Sequence, residues 1–391
     1  MGKNQQDVNL DAGNSFSAFA HGINQSSYNN SRYVIVRESN IGGFRSSKGF
    51  RFTGLPDDIW NTAGMDGVGT KVLISDAAKM YETSAADLIA MICGDITRKG
   101  GLPLIIMNVL NVAALGTEEL DLAAKNLMMG LGNYAKQQSL VLFNGETAEL
   151  KGLALADSNP QLSYLWESAG IGVFRESTEI TGESIRPGQV IIALQDKSPG
   201  SNGITELRRG LAKIHGPEWW NNPDAVNDIA SAAMPCTLYD KFLTHLNGWY
   251  SPNFEPMVKV HGIAHISGGG IPDKLAGDLL FSQGYGAGLD NLFEPPAIFQ
   301  KVAQARENDF STMTNSNYLK RLYDMWHGGQ RVLMIVDEKD TESVIRSAFT
   351  FGLNAMVAGK VTDNPVLKIK SKYEIYKDTE IIFTPEDLVR A

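Results

Sequence analysis

The feature that most constrains this chain is the segment 66–71, which reads Asp-Gly-Val-Gly-Thr-Lys. Two glycines let a backbone turn sharply and approach a bound ligand closely. Lys71 offers a positive charge to a phosphate, and Asp66 offers a carboxylate oxygen to a magnesium ion. For the segment alone, a tight turn with two solvated charges is the better interpretation, so a ligand site requires partners elsewhere in the chain.

Length, charge and cysteine content set the broad class. The 391 residues are enough for two domains, and a net charge of −9 without a dense Lys/Arg run disfavours nucleic acid as the main partner. Cys93 and Cys236 lack a metal-ligand spacing and fit a reducing compartment. The N-terminus has no signal-peptide core, and no apolar run approaches the ~20 residues that cross a membrane. We therefore expect a soluble, cytoplasmic, two-domain protein with no membrane partner.

The first half of the chain reads as a mixture of strands and helices. The polar residues 1–31 predict a mobile arm with a turn at 11–14. Helices are predicted from Ser84 to Gly100 and from Thr117, which caps an acidic first turn, to Gln137. Strands are predicted at 33–36, before Asp66, and at 104–112, 140–143 and 162–173, with the extended pattern continuing over 72–74. This order predicts an α+β domain.

The Pro187-Gly188 pair is the predicted domain boundary. The second half predicts an α/β domain, with strands at 190–194, 263–266, 331–336 and 355–361. Helices are predicted to about residue 214 and at 237–247, 273–276, 294–305, 314–326 and 340–351, with 216–232 as a loop insertion. The predicted divisions are 1–50 for the arm and a glycine loop, 51–186 for the N-terminal domain and 187–391 for the C-terminal domain.

Four glycine-bearing bends are predicted at strand ends, at 66–71, 144–149, 198–203 and 267–270. Asp66, Asp95 and Glu146 lie on or beside the bends of the first domain, with Glu149 close by. Such oxygen ligands suit a magnesium ion that carries a nucleotide, and the glycines at 268–270 would present backbone amides to a phosphate. None of the bends is a Walker A motif or a dinucleotide fingerprint. Taken singly, each is more often a plain turn.

Taken together, these motifs resemble those of the AIR synthetase (phosphoribosylformylglycinamidine cyclo-ligase) family of purine biosynthesis. Segment 66–71 is similar to the family's DGVGTK, segment 145–149 to its GETAE and segment 264–270 to its AH-[IL]-[ST]-GGG. Segments 8–14, 95–103 and 235–239 resemble its VDIDAGN, D-x4-G-A-x-P and PTxxY motifs. The motifs follow the family's order over residues 8–361.

The resemblance implies a two-domain fold in which the N-terminal α+β domains of a homodimer join in a shared β-barrel and bind ATP at the interface. The C-terminal α/β domain would cover a cleft. The implied reaction is the ATP- and Mg²⁺-dependent cyclisation of formylglycinamidine ribonucleotide to aminoimidazole ribonucleotide. In this reaction ATP phosphorylates the formyl oxygen, the neighbouring amine closes the ring, and phosphate leaves.

The resemblance also implies roles for individual residues. Catalytic roles fall to Asp66, Lys71, Asp95 and His265, and magnesium ligation to Asp66, Asp95 and Glu146. The predicted cofactor-binding residues, for ATP with its magnesium, are Asp11, Asn14, Gly43, Gly67, Gly69, Thr70, Lys71, Gly145, Glu146, Thr147, Ser201, Asn202, Gly268 and Gly269. For His265 a structural role at a strand end is the alternative to that of general base, and His261 is expected to be structural.

Three departures from the family pattern leave alternatives open. Arg45 and Ser46 replace two glycines of the family's glycine loop, Gly200 replaces a histidine, and Arg331 replaces the last glycine of the family's FN-x-G-x-G motif. A longer branch of the family shares Gly200 and Arg331. The chain lacks a reactive N-terminal cysteine and is too short for the amidotransferase-linked synthetase of the preceding purine step. The remaining alternatives are a relative of the selenophosphate synthase or thiamine phosphate kinase type, and a catalytically silent ATP-binding dimerisation module.

Overall fold

A computed structural model describes residues 9–39, 41–150 and 161–388, so the start of segment 8–14 lies outside the described residues. The chain forms two compact units. The first comprises Met1–Cys93 and Pro103–Val173, and the second comprises Gly94–Leu102 and Phe174–Ala391. No helix in the described ranges is both long and apolar enough to cross a membrane. The predicted two-domain, α+β organisation is confirmed.

The first unit is built on a four-stranded sheet with the order β3-β6-β4-β5, beside a separate two-stranded hairpin. Strands β4 and β5 are parallel, and the hairpin strands β1 and β2 are antiparallel. Its elements, in order, are α1 (Leu10–Ser27), β1 (Val34–Glu38), β2 (Lys48–Phe52), β3 (Ile59–Gly67), α2 (Lys71–Ala77), α3 (Tyr81–Thr97), β4 (Leu102–Val112), α4 (Glu118–Gln138), β5 (Val141–Glu149) and β6 (Tyr164–Arg175). The last turn of α3, from Gly94 onward, belongs to the second unit.

The prediction of a mobile arm is wrong for residues 10–27, which form helix α1. Asn9 caps this helix, because its Oδ1 accepts the N–H of Ala12 at 3.1 Å. Phe16 is buried, and the Ser27 hydroxyl accepts the N–H of Leu142 in edge strand β5 at 2.7 Å. The small polar side chains therefore serve to attach the helix to a sheet edge.

Two further local predictions are wrong. Residues 72–74 lie in helix α2, because Gly69, with φ of +63°, ends the extended chain and lets the helix begin at Lys71. Residues 145–149 lie within strand β5 and form no bend. Their backbone pairs with β4 without interruption from Asn108 opposite Gly145 to Val112 opposite Glu149.

The second unit is built on a seven-stranded sheet with the order β13-β12-β9-β11-β7-β10-β8. Its strands are β7 (Val190–Gln195), β8 (Val260–His265), β9 (Gly286–Leu289), β10 (Gln330–Val336), β11 (Ala355–Thr362), β12 (Leu367–Lys370) and β13 (Glu380–Phe383). Its helices are α5 (Ile204–His215), α6 (Val226–Ala233), α7 (Asp240–Leu246), α8 (Ala297–Arg306), α9 (Asn315–Met325), α10 (Thr341–Thr350) and α11 (Pro385–Leu388), together with a π-helix at Pro272–Leu280.

The predicted loop insertion at 216–232 is partly helical. It contains α6 and two short 3₁₀ turns, Trp219–Asn221 and Pro223–Ala225. Burial explains this difference, since Trp219 and Ala225 are enclosed by the unit. The sequence pattern did not indicate these apolar contacts, because the neighbouring residues are polar and predicted a loop.

Three loops meet at one edge of the second sheet, which is formed by the ends of neighbouring strands. Strand β10 is antiparallel to both β7 and β8, so the carboxyl ends of β7 and β8 and the amino end of β10 lie at the same edge. The segments 196–203, 266–270 and 326–330 begin or end there. The sheet thus brings together two of the predicted glycine bends, which lie far apart in the sequence.

Candidate functional site

The first unit contains a pocket of about 520 Å³ between α1, the segment 44–48 and β5. Four predicted binding residues line it, namely Asn14, Gly145, Glu146 and Thr147. The other polar or charged side chains of the lining belong to Asn9, Ser17, His21, Asn24, Arg45, Ser46, Lys48, Asn108, Asn144 and Glu149. The structure therefore joins the predicted N-terminal turn and the Gly-Glu-Thr segment in one cavity.

Hydrogen bonds hold the segment 44–48 against α1. Arg45 Nη2 donates to Asn14 Oδ1 at 3.0 Å. The Glu38 carboxylate bonds to Ser46 Oγ and lies 3.1 Å from His21 Nε2. Burial opposes ionisation of Glu38, but hydrogen bonds from Ser46 and Gln25 outweigh it and lower the pKa of the carboxyl group. Glu38 is therefore an ionised anchor beneath this wall of the pocket.

The pocket presents charges of both signs to a ligand. Arg45 and Lys48 provide cations, and the N-terminal turn of α1 adds a positive dipole end. Glu146 is exposed, whereas Glu149 Oε1 is buried and makes no hydrogen bond in the described part of the chain. Because a buried acceptor normally has a donor or a cation beside it, Glu149 leaves binding capacity for a ligand. The pocket can accommodate an anion together with a divalent cation.

Segment 66–71 is placed differently from the pocket. Asp66 is exposed at the end of β3, and its Oδ1 accepts the N–H of Gly67 at 2.7 Å. Lys71 is completely buried, and its Nζ lies 2.8 Å from Oδ1 of the equally buried Asp87. Of the predicted glycines, Gly67 packs against the Trp166 carbonyl and Gly69 makes the turn into α2. The catalytic and phosphate-binding roles of this segment stay predictions.

The sheet order separates two of the three predicted magnesium ligands. Asp66 ends β3 and Glu146 lies in β5, which are the two edge strands of the four-stranded sheet. Three strand spacings amount to about 14 Å, which is too far for two carboxylates to share one ion. The described ranges also contain no cluster of three His, Cys, Asp or Glu side chains that could hold a metal. Within the described residues Asp66 and Glu146 are therefore not placed to share one ion, and the magnesium-binding roles of the three carboxylates stay predictions.

Six of the predicted site residues lie in the second unit, near the edge where the three loops meet, namely Asp95, Ser201, Asn202, His265, Gly268 and Gly269. Asp95 is exposed and pairs with Arg98, whose Nε lies 3.3 Å away. His265 ends β8, and its ring packs against Gly94, where a Cβ atom would lie 2.3 Å from the imidazole. Burial lowers the pKa of His265 to about 3, with smaller contributions from Arg331 and Arg98. So weak a base favours the structural interpretation of His265.

The two glycine bends of this edge approach one another. A Cβ atom on Gly268 would lie 3.8 Å from Asn202 Oδ1. Gly269 has a φ of +88°, and a side chain there would collide with Asp273. The bend leads into a helical segment, as predicted, so the backbone amides of Gly268 and Gly269 lie near a helix N-terminus, whereas that of Gly270 donates to the Ser267 carbonyl. Ser201 and Asn202 precede the N-terminus of α5 in the same way.

A buried ion pair at this edge could not be predicted from motifs alone. Arg331 Nε donates to Asp196 Oδ2 at 2.6 Å, and both side chains are 1% exposed. Burial opposes ionisation of Asp196, but the charge of Arg331 and hydrogen bonds from Arg331 and the Ser198 N–H outweigh it and lower the pKa of the carboxyl group. The only sequence signal was the joint occurrence of Gly200 and Arg331, which did not point to Asp196.

His261 has the structural role that the sequence favoured. Its Nδ1 lies 2.8 Å from Ser184 Oγ, and its Nε2 lies 3.1 Å from Asp337 Oδ1. Since the carboxylate accepts from Nε2–H, Nδ1 is left to accept the serine O–H. The histidine therefore ties the loop before β7 to the start of β8 and the end of β10.

The raised pKa of the buried Asp240 leads us to predict that the stability of the second unit depends on pH. Burial raises its pKa from 3.8 to about 7, although Thr97 Oγ1 donates to it at 2.8 Å. The folded chain keeps the proton between about pH 4 and pH 7 while the unfolded chain loses it, so stability falls as pH rises through that range. We expect Asp240→Asn to unfold at a higher urea concentration than the native chain at pH 8.

The measurement is urea unfolding at pH 5 and pH 8. The exposed Asp363→Asn serves as the control and is expected to follow the native chain at both values. If native protein and Asp240→Asn lose the same stability between the two pH values, Asp240 is ionised in the folded state and the prediction is wrong.

Comparison with known proteins gives a consistent family match. A family model described as AIR synthase related protein, N-terminal domain, matches residues 53–166, and one described as the C-terminal domain matches residues 186–372. A phosphoribosylformylglycinamidine cyclo-ligase of Carboxydothermus hydrogenoformans is 28% identical over 82% of this chain and 86% of the relative. One of the same name from Rippkaea orientalis is 26% identical over 91% of this chain and 95% of the relative.

Solved structures share the fold at low sequence identity. A thiamine-monophosphate kinase from Stenotrophomonas maltophilia has a TM-score of 0.60 and 11% identity, over 91% of this chain and 96% of that chain. The hydrogenase maturation protein HypE in complex with ATP has a TM-score of 0.52 and 12% identity, over 84% and 86%. At these identities the likeness concerns the fold alone.

Proposed function

Because the chain belongs to the AIR synthase related protein family, we propose that it catalyses the ATP-dependent cyclisation of formylglycinamidine ribonucleotide to aminoimidazole ribonucleotide. Phosphorylation turns the formyl oxygen into a leaving group, the neighbouring amine attacks the same carbon, and phosphate departs as the ring closes. Relatives named for this activity, matched over most of the chain, support the proposal.

The single structural observation that carries the proposal is the charged pocket of the first unit. Its volume of about 520 Å³ lies within the range of nucleotide-sized ligand sites. Arg45 and Lys48 would bind phosphate oxygens, and Asn14, which accepts a hydrogen bond from Arg45, would fix the position of that guanidinium. The pocket therefore suits ATP as the phosphoryl donor.

Magnesium fits this pocket better than it fits the three carboxylates predicted from the sequence. Magnesium that accompanies a nucleotide is usually held by one or two carboxylates and by the phosphates themselves. Glu146 and Glu149 line the pocket together, and Glu149 has the buried oxygen without a donor. A bound magnesium ion would neutralise phosphate charge. The protein's own contribution is to position the nucleotide.

A coupled assay tests the function and separates it from the alternatives. The protein is incubated with ATP, magnesium and formylglycinamidine ribonucleotide, and both aminoimidazole ribonucleotide and ADP are measured. We expect both products, with ADP formed only when the ribonucleotide is present. Instead, ADP formed with thiamine phosphate would identify a kinase of the thiamine phosphate kinase type, and AMP and phosphate formed with selenide would identify a selenophosphate synthase. ATP binding without turnover would identify a silent module.

We further propose that the protein is a homodimer that forms through the sheet of the first unit. Trp60 and Met65 of the edge strand β3, Val109 of β4 and Leu165 of β6 are exposed apolar side chains. An open edge strand beside exposed apolar residues is a surface that soluble proteins usually cover. Cys93 and Cys236 are buried and form no disulfide among the described residues, which supports the proposal of a reducing, cytoplasmic location.

Replacement of Trp60 tests the dimer. We expect Trp60→Glu to weaken dimerisation at least about tenfold, because a charge replaces a large apolar contact. The measurement is molar mass by sedimentation or light scattering over a dilution series. The control Phe349→Glu changes an apolar side chain of α10 that is even more exposed, and it should leave the mass unchanged. An unchanged dimer in Trp60→Glu, or a monomeric native protein, would contradict the proposal.

A further inference from the structure

Arg331 is a buried cation with unused hydrogen-bonding capacity. Its side chain is 1% exposed, and Nε is bound to Asp196. The terminal nitrogens Nη1 and Nη2 are both buried and make no hydrogen bond within the described residues. A buried donor without an acceptor destabilises a folded protein, so such a group usually marks a bound water, an ion or a ligand. The two terminal nitrogens of the guanidinium therefore need a hydrogen-bond acceptor that the described residues do not provide.

Gly200 is the residue that makes room for this guanidinium. A Cβ atom on Gly200 would lie 1.6 Å from Arg331 Nη2, so no other residue fits there while the arginine keeps its position. Gly200 also has a φ of +68°, which side chains rarely adopt. The two residues, 131 positions apart, therefore depend on each other. A glycine at position 200 is the structural condition for a cation at this place.

Further hydrogen-bond donors lie next to Arg331. Ser201 follows Gly200 directly, and its Oγ is buried without a partner among the described residues. Helix α5 begins three residues later, and its cap residue Gly203 offers no side-chain hydrogen bond to the first turn. The N-terminal turn of a 12-residue helix presents backbone N–H groups and a positive dipole end. A guanidinium, a hydroxyl and a helix N-terminus thus occur together.

We propose that Arg331, Ser201 and the N-terminal turn of α5 form a binding subsite for a phosphate group. A phosphate supplies several acceptor oxygens in the geometry that a guanidinium fork matches, and its negative charge compensates that of the arginine. The inference rests on the proposed function, whose two substrates both carry phosphate. Since Gly200 lies directly against Nη2, the segment 198–203 must shift for the phosphate to enter.

Inorganic phosphate is the first probe, because it tests the subsite without turnover. We expect phosphate to raise the melting temperature of the native protein by about 3 °C at ten times its Kd, relative to chloride at equal ionic strength. Arg331→Gln should lose this shift, and Arg331→Lys should keep part of it. The control Arg346→Gln, at an exposed position of α10, should keep all of it. No shift in the native protein, or a full shift in Arg331→Gln, would overturn the proposal.

Ser201→Ala keeps the test decisive if Arg331→Gln fails to fold after losing the partner of Asp196. This variant removes a neutral hydroxyl and leaves the buried ion pair intact. We expect it to weaken phosphate binding several-fold, as seen in a smaller temperature shift at fixed phosphate concentration. If folded Ser201→Ala binds phosphate as tightly as the native protein, the hydroxyl is not part of the subsite and the proposal is wrong.

Kinetics distinguish the two sources of the phosphate. In Ser201→Ala and Arg331→Lys, the KM of the substrate whose phosphate occupies the subsite should rise about tenfold, with a smaller change in kcat. A rise confined to the ribonucleotide identifies its phosphate monoester, and one confined to ATP identifies the nucleotide. Unchanged KM values for both would overturn a role in substrate binding. If the native protein forms no aminoimidazole ribonucleotide, the proposed function fails, while the melting experiment still decides the subsite.

Discussion

Replacing Lys71 with Met is expected to lower the free energy of unfolding by about 3–5 kcal/mol. Lys71 Nζ lies 2.8 Å from Asp87 Oδ1, and both side chains are completely buried. Removing the ammonium leaves a carboxylate inside the protein without its counter-charge, which is far less favourable than the same group in water. Urea unfolding of the native and variant proteins measures the difference.

Two control variants determine what this stability change means. Lys79→Met removes a lysine that is 52% exposed and lies 3.7 Å from Asp76, so it should lower stability by less than about 1 kcal/mol. The double variant Lys71→Met/Asp87→Leu removes both buried charges and should recover most of the lost stability. A Lys71→Met variant as stable as the native protein would show that the buried pair contributes little to folding.

The double variant also tests the role that the sequence suggested for Lys71. If it folds and turns over normally, the lysine of segment 66–71 is structural, and phosphate is bound by other groups such as Arg45 and Lys48. If it folds without turnover, Lys71 leaves Asp87 during the reaction and contacts phosphate. The six-residue motif by itself cannot separate these roles, because Asp87 lies 16 positions further along the chain.

The elements that the sequence predicted well have signals that are local. Thr117 caps α4 through its Oγ1, and the apolar run that predicted β4 is buried almost throughout. Helix α1 was missed because its stability depends on a tertiary contact, the hydrogen bond of Ser27 with β5. The apolar residues 72–74 fit a buried helix as well as a strand, and only the turn at Gly69 decides between them.

The candidate site shows the same division between local and distant information. Motifs located Asn14 and Glu146, which the structure places in one pocket. They did not indicate that β3 and β5 are opposite edges of the sheet, because strand order depends on long-range pairing. Nor did they reveal that Gly200 and Arg331 occupy one space. Candidate site residues could thus be named from the sequence, whereas the structure was needed to show which of them lie together.

Glu146→Gln is expected to reduce turnover about 100-fold or more, because the proposal assigns this carboxylate to the nucleotide's magnesium, and its loss would remove several kcal/mol of charge stabilisation. Glu146 is exposed in β5, so an amide of the same shape should leave the fold unchanged. The measurement is kcat and the magnesium concentration for half-maximal rate. Glu342→Gln, exposed on α10, is the control. Full activity of Glu146→Gln at low magnesium would contradict the assignment.

A variant of Asp66 tests whether the proposed metal site is shared between two chains. Asp66 and Glu146 lie on strands of one chain that are three strand spacings apart, about 14 Å, so we expect them to act on the same ion only if a partner subunit supplies one of them. If Asp66→Asn is also inactive, equal amounts of the two variant proteins are unfolded, mixed and refolded together. With a shared site, about a quarter of the active sites in a random mixture combine both native carboxylates and regain activity. With a site inside each chain, every chain carries one defect, and the mixture stays inactive.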